Sequence, residues 1–291
     1  MDGVMLEKTV VVLSYVISLA VNGFAASGAL SGQSIGDISD EYPTYVTPDG
    51  RTFAVWAVIY TLELVLVVMQ CCASTAMEEI LQKPCQLTGL SVRQRLVAAF
   101  VLNAIWLPIY VNLLFAVALV IIIAYFVFLL SVYIDLNTMT VSSFAEWAGY
   151  AAGIACNASW VLVATSANKF TVLGQLGWKD EFGVAGTPGM AVVVVAVVSA
   201  VAIAFAVLRS DFAWSLVACW ALSGLYRTHT IPDPDSFPPA AMNKTIAECS
   251  LWGAIVVGVA SLLGLALIPY NGAFRSDKGG FKAVRTGLTS E

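Results

Sequence analysis

Eight long apolar runs divide the chain and constrain its fold more than any other feature. They lie near residues 9–30, 52–73, 95–111, 114–135, 145–168, 189–208, 212–228 and 248–268. A bilayer core about 30 Å thick requires about 20 apolar residues in a helix that rises about 1.5 Å per residue. The sequence therefore predicts an all-α integral membrane protein with about eight transmembrane helices.

The composition agrees with a membrane protein and gives no support for a nucleic-acid partner. Only 11% of the 291 residues are charged and 59% are hydrophobic, whereas soluble domains carry about 25% charged residues. The net charge of -5 is spread over loops and tails, without the basic patch that nucleic-acid binding requires. The six cysteines form no C-x-x-C motif and no cluster with histidine, so we expect no metal site.

Lysine and arginine positions predict the orientation. If the N-terminus is cytoplasmic, or on the equivalent stromal or matrix side of an organelle, nine lysines and arginines fall on that side and five on the other. This excess favours a multi-pass topology with both termini on the cytoplasmic side, in a membrane that the sequence does not identify. Residues 271–291 are glycine-rich and basic, which predicts a flexible tail.

Aromatic and polar residues recur at spacings of three and four on three predicted helices, which places each set on one helix face. Polar groups are costly inside a membrane and mark functional sites by default. The candidate ligand-binding residues on these faces are Trp56, Tyr60 and Glu63, then Asn103, Trp106 and Tyr110, then Asn157, Trp160 and Asn168.

These three faces could meet in one intramembrane pocket. Aromatic walls with a few polar anchors suit a flat apolar ligand with a polar edge, such as a tetrapyrrole or a sterol. The same residues also fit a structural role, in which asparagines bridge helices and tryptophans pack or lie at the interface. Glu63 fits either a wet pocket or an interhelical hydrogen bond in its protonated form.

Three motifs are similar to those of the translocator protein (TspO/MBR) family, also called the tryptophan-rich sensory protein or peripheral benzodiazepine receptor family. "TPDGRTFAVWAVIY" resembles the entry to that family's second helix, "NAIWLPIY" its third-helix motif and "NASWVLVATSAN" its fifth-helix motif. The resemblance implies a five-helix bundle over residues 1–178 that encloses a pocket for porphyrins, sterols or similar molecules. No covalent cofactor is implied, and a porphyrin- or chlorophyll-type tetrapyrrole or a sterol is the expected bound ligand. The lining residues it implies are Trp56, Asn103, Trp106, Trp160 and Asn168.

The chain also departs from the short members of that family. The family's second proline before helix two is missing, and Glu63 has no counterpart that the resemblance supplies. Three further helices are expected over residues 179–270, and "LRSDFAWSLVACWALSGL" resembles a stretch of longer relatives. These helices could cover the face that shorter members use for dimerisation.

An enzymatic function is not expected, although one catalytic pattern is present. Residues 32–36 read G-x-S-x-G, and His229 lies in a loop predicted on the same side of the membrane. A nucleophile elbow requires a strand–turn–helix setting, whereas this motif follows a predicted membrane helix.

Two alternative functions remain open beside ligand binding for transport or sensing. The first is an accessory subunit of a larger membrane complex such as a pigment-binding photosynthetic assembly. Its partners would then include other protein subunits, besides the lipid bilayer and a small hydrophobic ligand. The second is a proton-coupled small-molecule transporter, with Glu63 as the proton site and Pro108 as a hinge, although the sequence shows no clear inverted repeat.

Overall fold

The computed structural model describes residues 3–137 and 144–267, and within these ranges the regular structure is helical. The α-helices are α1 Gly3–Ala26, α2 Ile35–Glu41, α3 Val55–Met69, α4 Thr75–Leu81, α5 Val92–Val111, α6 Phe115–Asn137, α7 Phe144–Trp147, α8 Gly153–Gln175, α9 Pro188–Arg209, α10 Phe212–Thr228 and α11 Lys244–Leu267. Isolated β-bridges occur, but the described ranges contain no sheet. The predicted all-α fold is confirmed.

Seven helical stretches within the described ranges are long and apolar enough to cross a membrane, compared with eight predicted spans. They are Gly3–Ala26, Gly50–Cys72, Val92–Val111, Phe115–Leu136, Ala145–Gln175, Pro188–Arg209 and Lys244–Ala266. The remaining predicted span, 212–228, forms α10, which has 17 residues and many buried small side chains. The predicted tail, 271–291, lies outside the described residues.

The eight longest helices pack as a group of five, α1, α3, α5, α6 and α8, with α9, α10 and α11 beside it. α5 and α6 form a tight hairpin, in which Leu113 adopts a left-handed φ of 62°. α1 packs on α5, α6 packs on α8, and α3 packs on α8. α9, α10 and α11 pack on one another, and α10 contacts α8. The predicted domain boundary at residue 178 falls in the connection between α8 and α9.

Two glycines bring α3 and α8 into close contact. A Cβ at Gly153 would lie 2.9 Å from the Glu63 backbone nitrogen and from the Leu62 carbonyl carbon. Gly149 lies in a π-helical turn, Ala148–Ala152, and faces the Met69 side chain. This G-x-x-x-G step therefore acts as a helix-packing motif, because only hydrogen side chains leave room for the neighbouring backbone.

Two buried arginines define one end of the bundle, which we call the arginine end. Arg93 donates from Nε to Gln70 Oε1 at 2.9 Å and pairs with Glu78. Arg95 Nη2 pairs with Asp135 Oδ2 at 2.6 Å. The Arg93 guanidinium lowers the pKa of the Glu78 carboxyl to about 2. These pairs tie α5 to α4, to the end of α3 and to α6.

The opposite end is crossed by residues 42–54, which we call the lid segment. It contains a turn in which Thr52 N–H donates to Asp49 O at 2.9 Å, and a 3-10 helix, Gly50–Ala54, leads from it into α3. Tyr45 N–H donates to Ala185 O at 3.3 Å, which fixes the lid segment to the loop between α8 and α9. Trp220 Nε1 donates to Thr52 O at 2.9 Å, which fixes it to α10.

Candidate functional site: an aromatic pocket beneath the lid segment

A cavity lies beneath the lid segment, between α2, α5 and α8. It is lined by Ile35, Ser39, Thr47, Pro48, Phe53, Trp106, Tyr110, Trp160, Val163, Ala164, Ala167 and Asn168. The cavity has a volume of about 40 Å³, and the empty space reaches about 460 Å³ when the part open to the surroundings is counted. Aromatic rings and small apolar side chains make up most of its wall.

The aromatic face of α3 stands directly behind this cavity. Phe53 and Trp160 meet edge to face with ring centroids 5.7 Å apart, and Trp56 meets Trp160 in the same way at 6.2 Å. Trp56 in turn stacks on Tyr60 at 5.2 Å. Aromatic pairs at these separations are favourable beyond the area that they bury. The rings therefore form a continuous aromatic wall between α3 and α8.

The α5 and α8 faces meet at the far side of the cavity. Trp106 Nε1 donates to Asn168 Oδ1 at 3.4 Å, and Asn168 Nδ2 donates to Phe115 O at 3.2 Å. The Asn168 amide is thus already bonded on both sides, which indicates that it orients Trp106 and joins α8 to α6. Tyr110 lies one turn further along α5 and packs against Phe115, with ring centroids 5.0 Å apart.

Trp160 lines the cavity and carries a buried hydrogen-bond donor that has no partner. Its side chain is only 2% exposed, and its Nε1 atom has no hydrogen-bond partner in the structure. Buried polar groups are nearly always bonded, and an unmatched one costs roughly 1–3 kcal/mol. An acceptor atom on a bound molecule would satisfy this indole N–H.

A polar network lies further from the lid segment, in the centre of the bundle. Tyr60 donates through its hydroxyl to Asn22 Oδ1 at 2.5 Å. Asn103 Nδ2 donates to Ser18 Oγ at 3.1 Å, while Asn103 Oδ1 is buried without a partner. Tyr15 donates to the Tyr60 carbonyl oxygen at 2.7 Å. The network joins α1, α3 and α5 through groups that carry no charge.

Glu63 continues this network toward α6 and α8. It is 1% exposed, and Asn157 Nδ2 donates to its Oε1 at 2.5 Å. The same Nδ2 lies 2.5 Å from the Tyr125 hydroxyl, and Asn157 Oδ1 has no partner. The ion pairs found in the described residues do not include Glu63. A carboxyl group held only by neutral partners away from water favours its protonated form.

The structure distributes the nine predicted site residues over two layers. Four line the cavity, namely Trp106, Tyr110, Trp160 and Asn168. Trp56 and Tyr60 form the wall behind Trp160. The other three, Glu63, Asn103 and Asn157, belong to the deeper polar network. The three helix faces do converge, but they do not form one cavity. They form a pocket and, next to it, a separate polar network.

The pattern that resembled a nucleophile elbow serves the fold. Ser34 is the N-cap of α2 and accepts from Asp37 N–H at 3.1 Å. His229 uses both ring nitrogens on backbone groups, with Nε2 3.2 Å from Tyr45 O and Nδ1 accepting from Asn243 N–H at 3.3 Å. Ser34 and His229 therefore have separate partners. Among the described residues, no group of three or more His, Cys, Asp or Glu is placed to hold a metal ion.

Comparison with known families identifies the family of this chain. The family model described as TSPO-like protein matches residues 8–263. The chain belongs to the TSPO-like protein family. The match covers all eight predicted helical runs at least in part, so the last three helices of this TSPO-like protein fall within the family model. No curated protein and no solved structure matches the chain.

Proposed function

We propose that this TSPO-like protein binds a flat hydrophobic molecule, a tetrapyrrole or a sterol, in the aromatic pocket beneath the lid segment. The rings of Phe53, Trp106 and Trp160 line the cavity and offer faces and edges to a planar body, while Trp56 supports Trp160 from behind. Ligand pockets of this kind are mostly apolar with a few placed polar groups. The family match and the membrane-spanning helices support a ligand that partitions into the bilayer.

One observation carries the proposal, namely the buried and unpartnered N–H of Trp160 in the wall of the cavity. A buried tryptophan in a bundle normally donates to a carbonyl or a hydroxyl, as Trp106 does here to the amide oxygen of Asn168. A ligand acceptor, such as a carbonyl, hydroxyl or ring nitrogen at the edge of a planar body, would complete the bonding of Trp160.

The size of the cavity adds a requirement. A volume of about 40 Å³ is far below the 300–1,000 Å³ that is typical of ligand pockets. Binding a tetrapyrrole or a sterol therefore requires the lid segment or the aromatic wall to move. The structure corresponds to the closed form of such a pocket.

The test is a titration of the purified full-length chain with protoporphyrin IX, followed by the shift of its absorbance. Trp160→Phe keeps a six-membered aromatic ring and removes the pyrrole ring with its N–H, so we expect Kd to rise at least roughly 2- to 10-fold, the worth of one hydrogen bond. Trp252→Phe is the matched control, since Trp252 lies on α11 and is 63% exposed. Equal weakening in both variants, or no saturable binding to the unmodified chain, would remove the basis for this function.

A second candidate, proton-coupled transport, is favoured by Glu63. Its carboxyl lies in the centre of the bundle, between the pocket and the arginine end, on the same α3 face as Phe53 and Gln70. Proteoliposomes loaded with protoporphyrin IX would test it. The unmodified chain should speed porphyrin efflux under a pH gradient, and Glu63→Gln should abolish that stimulation while leaving binding intact. Efflux that ignores the gradient would eliminate this candidate.

A further inference from the structure

The C-terminal end of α10 holds the lid segment through three consecutive residues, Arg227, Thr228 and His229, which we call the α10 latch. Arg227 Nε pairs with Asp49 Oδ2 at 2.6 Å. Thr228 Oγ1 donates to the carbonyl oxygen of Thr47 at 3.1 Å. His229 Nε2 lies 3.2 Å from the carbonyl oxygen of Tyr45 and must donate to it, because a carbonyl only accepts.

The part of the lid segment that the α10 latch holds separates two cavities. Thr47 and Pro48 line the aromatic pocket on one side. On the other side, the same two residues line a polar cleft of about 450 Å³, together with Arg51, Asp233 and other loop residues. A displacement of Thr47 and Pro48 would therefore join the small pocket to a space large enough for a ligand.

The latch fits only a neutral His229. Because Nε2 donates to Tyr45 O, the proton lies on that nitrogen, and Nδ1 is free to accept from Asn243 N–H at 3.3 Å. A protonated ring would carry N–H groups at both nitrogens and would oppose the Asn243 N–H. The imidazole is 3% exposed and packs between the rings of Tyr45 and Phe237. Burial lowers its pKa below the ordinary value.

We propose that the α10 latch is a pH-sensitive gate, which keeps the aromatic pocket closed while His229 is neutral and opens it toward the polar cleft when His229 is protonated. In the open form His229 meets water and regains the ordinary histidine pKa of about 6.5. The closed form binds the proton less readily, so it is favoured above that pH. As the pH falls below about 6.5, protonation shifts the population toward the open form.

Other ionisable groups lie near the α10 latch, and their response to pH must be distinguished from that of His229. Burial and the hydrogen bond to Asp180 raise the pKa of Tyr45, so Tyr45 stays neutral throughout this range. The Asp49 carboxylate forms an ion pair with Arg227. Asp40 lines the polar cleft with Asp233, and burial raises its pKa, so Asp40 also responds to acid. The remaining charged or acidic neighbours in this loop cluster are Arg51, Asp37, Glu181 and Asp235.

Hydrogen–deuterium exchange of the full chain in lipid nanodiscs tests the gate. Exchange is compared at about pH 7.5 and about pH 5.5, on either side of the ordinary histidine pKa, after correction with an unstructured reference peptide. The readout is the peptide that covers the lid segment, whose amides bond to Ala185 and Gly224 in the closed form. Peptides from the α5–α6 hairpin serve as the internal reference.

In the unmodified chain, exchange of the lid segment should be faster at the lower pH by up to about tenfold, because pH 5.5 lies about one unit below the ordinary histidine pKa. His229→Gln keeps an N–H donor and cannot titrate in this range, so its lid exchange should not depend on pH. Asp40→Asn should keep the full pH response. Arg227→Ala should expose the lid segment already at about pH 7.5.

Four results would overturn the gate. They are lid exchange in the unmodified chain that does not change with pH, a pH response that survives in His229→Gln, a response lost in Asp40→Asn, or unchanged protection in Arg227→Ala. The gate rests on the proposed function, since it controls a ligand pocket. The experiment adds no ligand, however, so its outcome is independent of whether porphyrin binds.

Discussion

Substitution of Gly153 by alanine probes the contact that sets the distance between α3 and α8. The new Cβ would lie 2.9 Å from backbone atoms of Leu62 and Glu63, whereas ordinary contacts begin at 3.4 Å. The helices would have to separate by about half an ångström, because backbone atoms cannot rotate away. Overpacking of this kind typically costs about 1–3 kcal/mol.

The matched control is Gly258→Ala on α11, where the new Cβ would meet only Cys219 Sγ at 3.9 Å. Both substitutions gain roughly 1 kcal/mol of helix propensity, so this gain cancels in the comparison. We expect Gly153→Ala to be less stable than Gly258→Ala by about 1–3 kcal/mol, measured by denaturant titration in mixed micelles with circular dichroism. Equal stability of the two variants would refute the close α3–α8 contact.

Three further substitutions, with Lys244→Ala as a control, test the arginine end and the polar network. Arg93→Ala should destabilise the chain by about 3–5 kcal/mol, because it leaves Glu78 and Gln70 without their buried partner, while Lys244→Ala should have no measurable effect because its ion pair is largely exposed. The Arg93–Glu78 pair holds the folded Glu78 pKa at about 2, so its contribution is complete above the ordinary pKa and is lost as the pH falls toward 2. Acid titration of the melting temperature should therefore show a weaker decline in Glu78→Gln than in the unmodified chain. Tyr60→Phe should cost about 1–3 kcal/mol in the same denaturant assay by leaving the buried Asn22 Oδ1 without its donor, and a neutral result would show that water replaces the hydroxyl.

The sequence predicted the parts of the fold that depend on periodicity. Hydrophobic length located the spans. The spacing of Trp56, Tyr60 and Glu63 placed on one face of α3 side chains that contact α8 or α1, although the buried residues of α3 also include Val55, Ile59 and Leu66. Span ends shifted by several residues, since α1 begins at Gly3 and α8 continues to Gln175. Helix ends depend on caps and tertiary contacts that a hydrophobic run does not encode.

The pocket itself was predicted only in part. Ile35, Ser39 and Thr47 line the cavity from α2 and the lid segment, and their positions follow from tertiary contacts and not from a helical repeat. Tyr125 was missed because it lies within an unbroken apolar run of α6, where a single tyrosine is ordinary. Arg93 and Arg95 entered the sequence analysis only through the lysine and arginine count that predicts orientation. In the structure both are buried, and they join α5 to the end of α3, to α4 and to α6.

A structure of the full-length chain saturated with protoporphyrin IX tests the central claim most directly. Density for the ligand should appear beneath the lid segment, between Trp106 and Trp160, with an acceptor atom of the ligand within hydrogen-bond distance of Trp160 Nε1. Thr47 and Pro48 should also move away from their closed positions, because the closed cavity of about 40 Å³ is too small. Density confined to the lipid-facing surface, with the pocket still closed, would contradict the account.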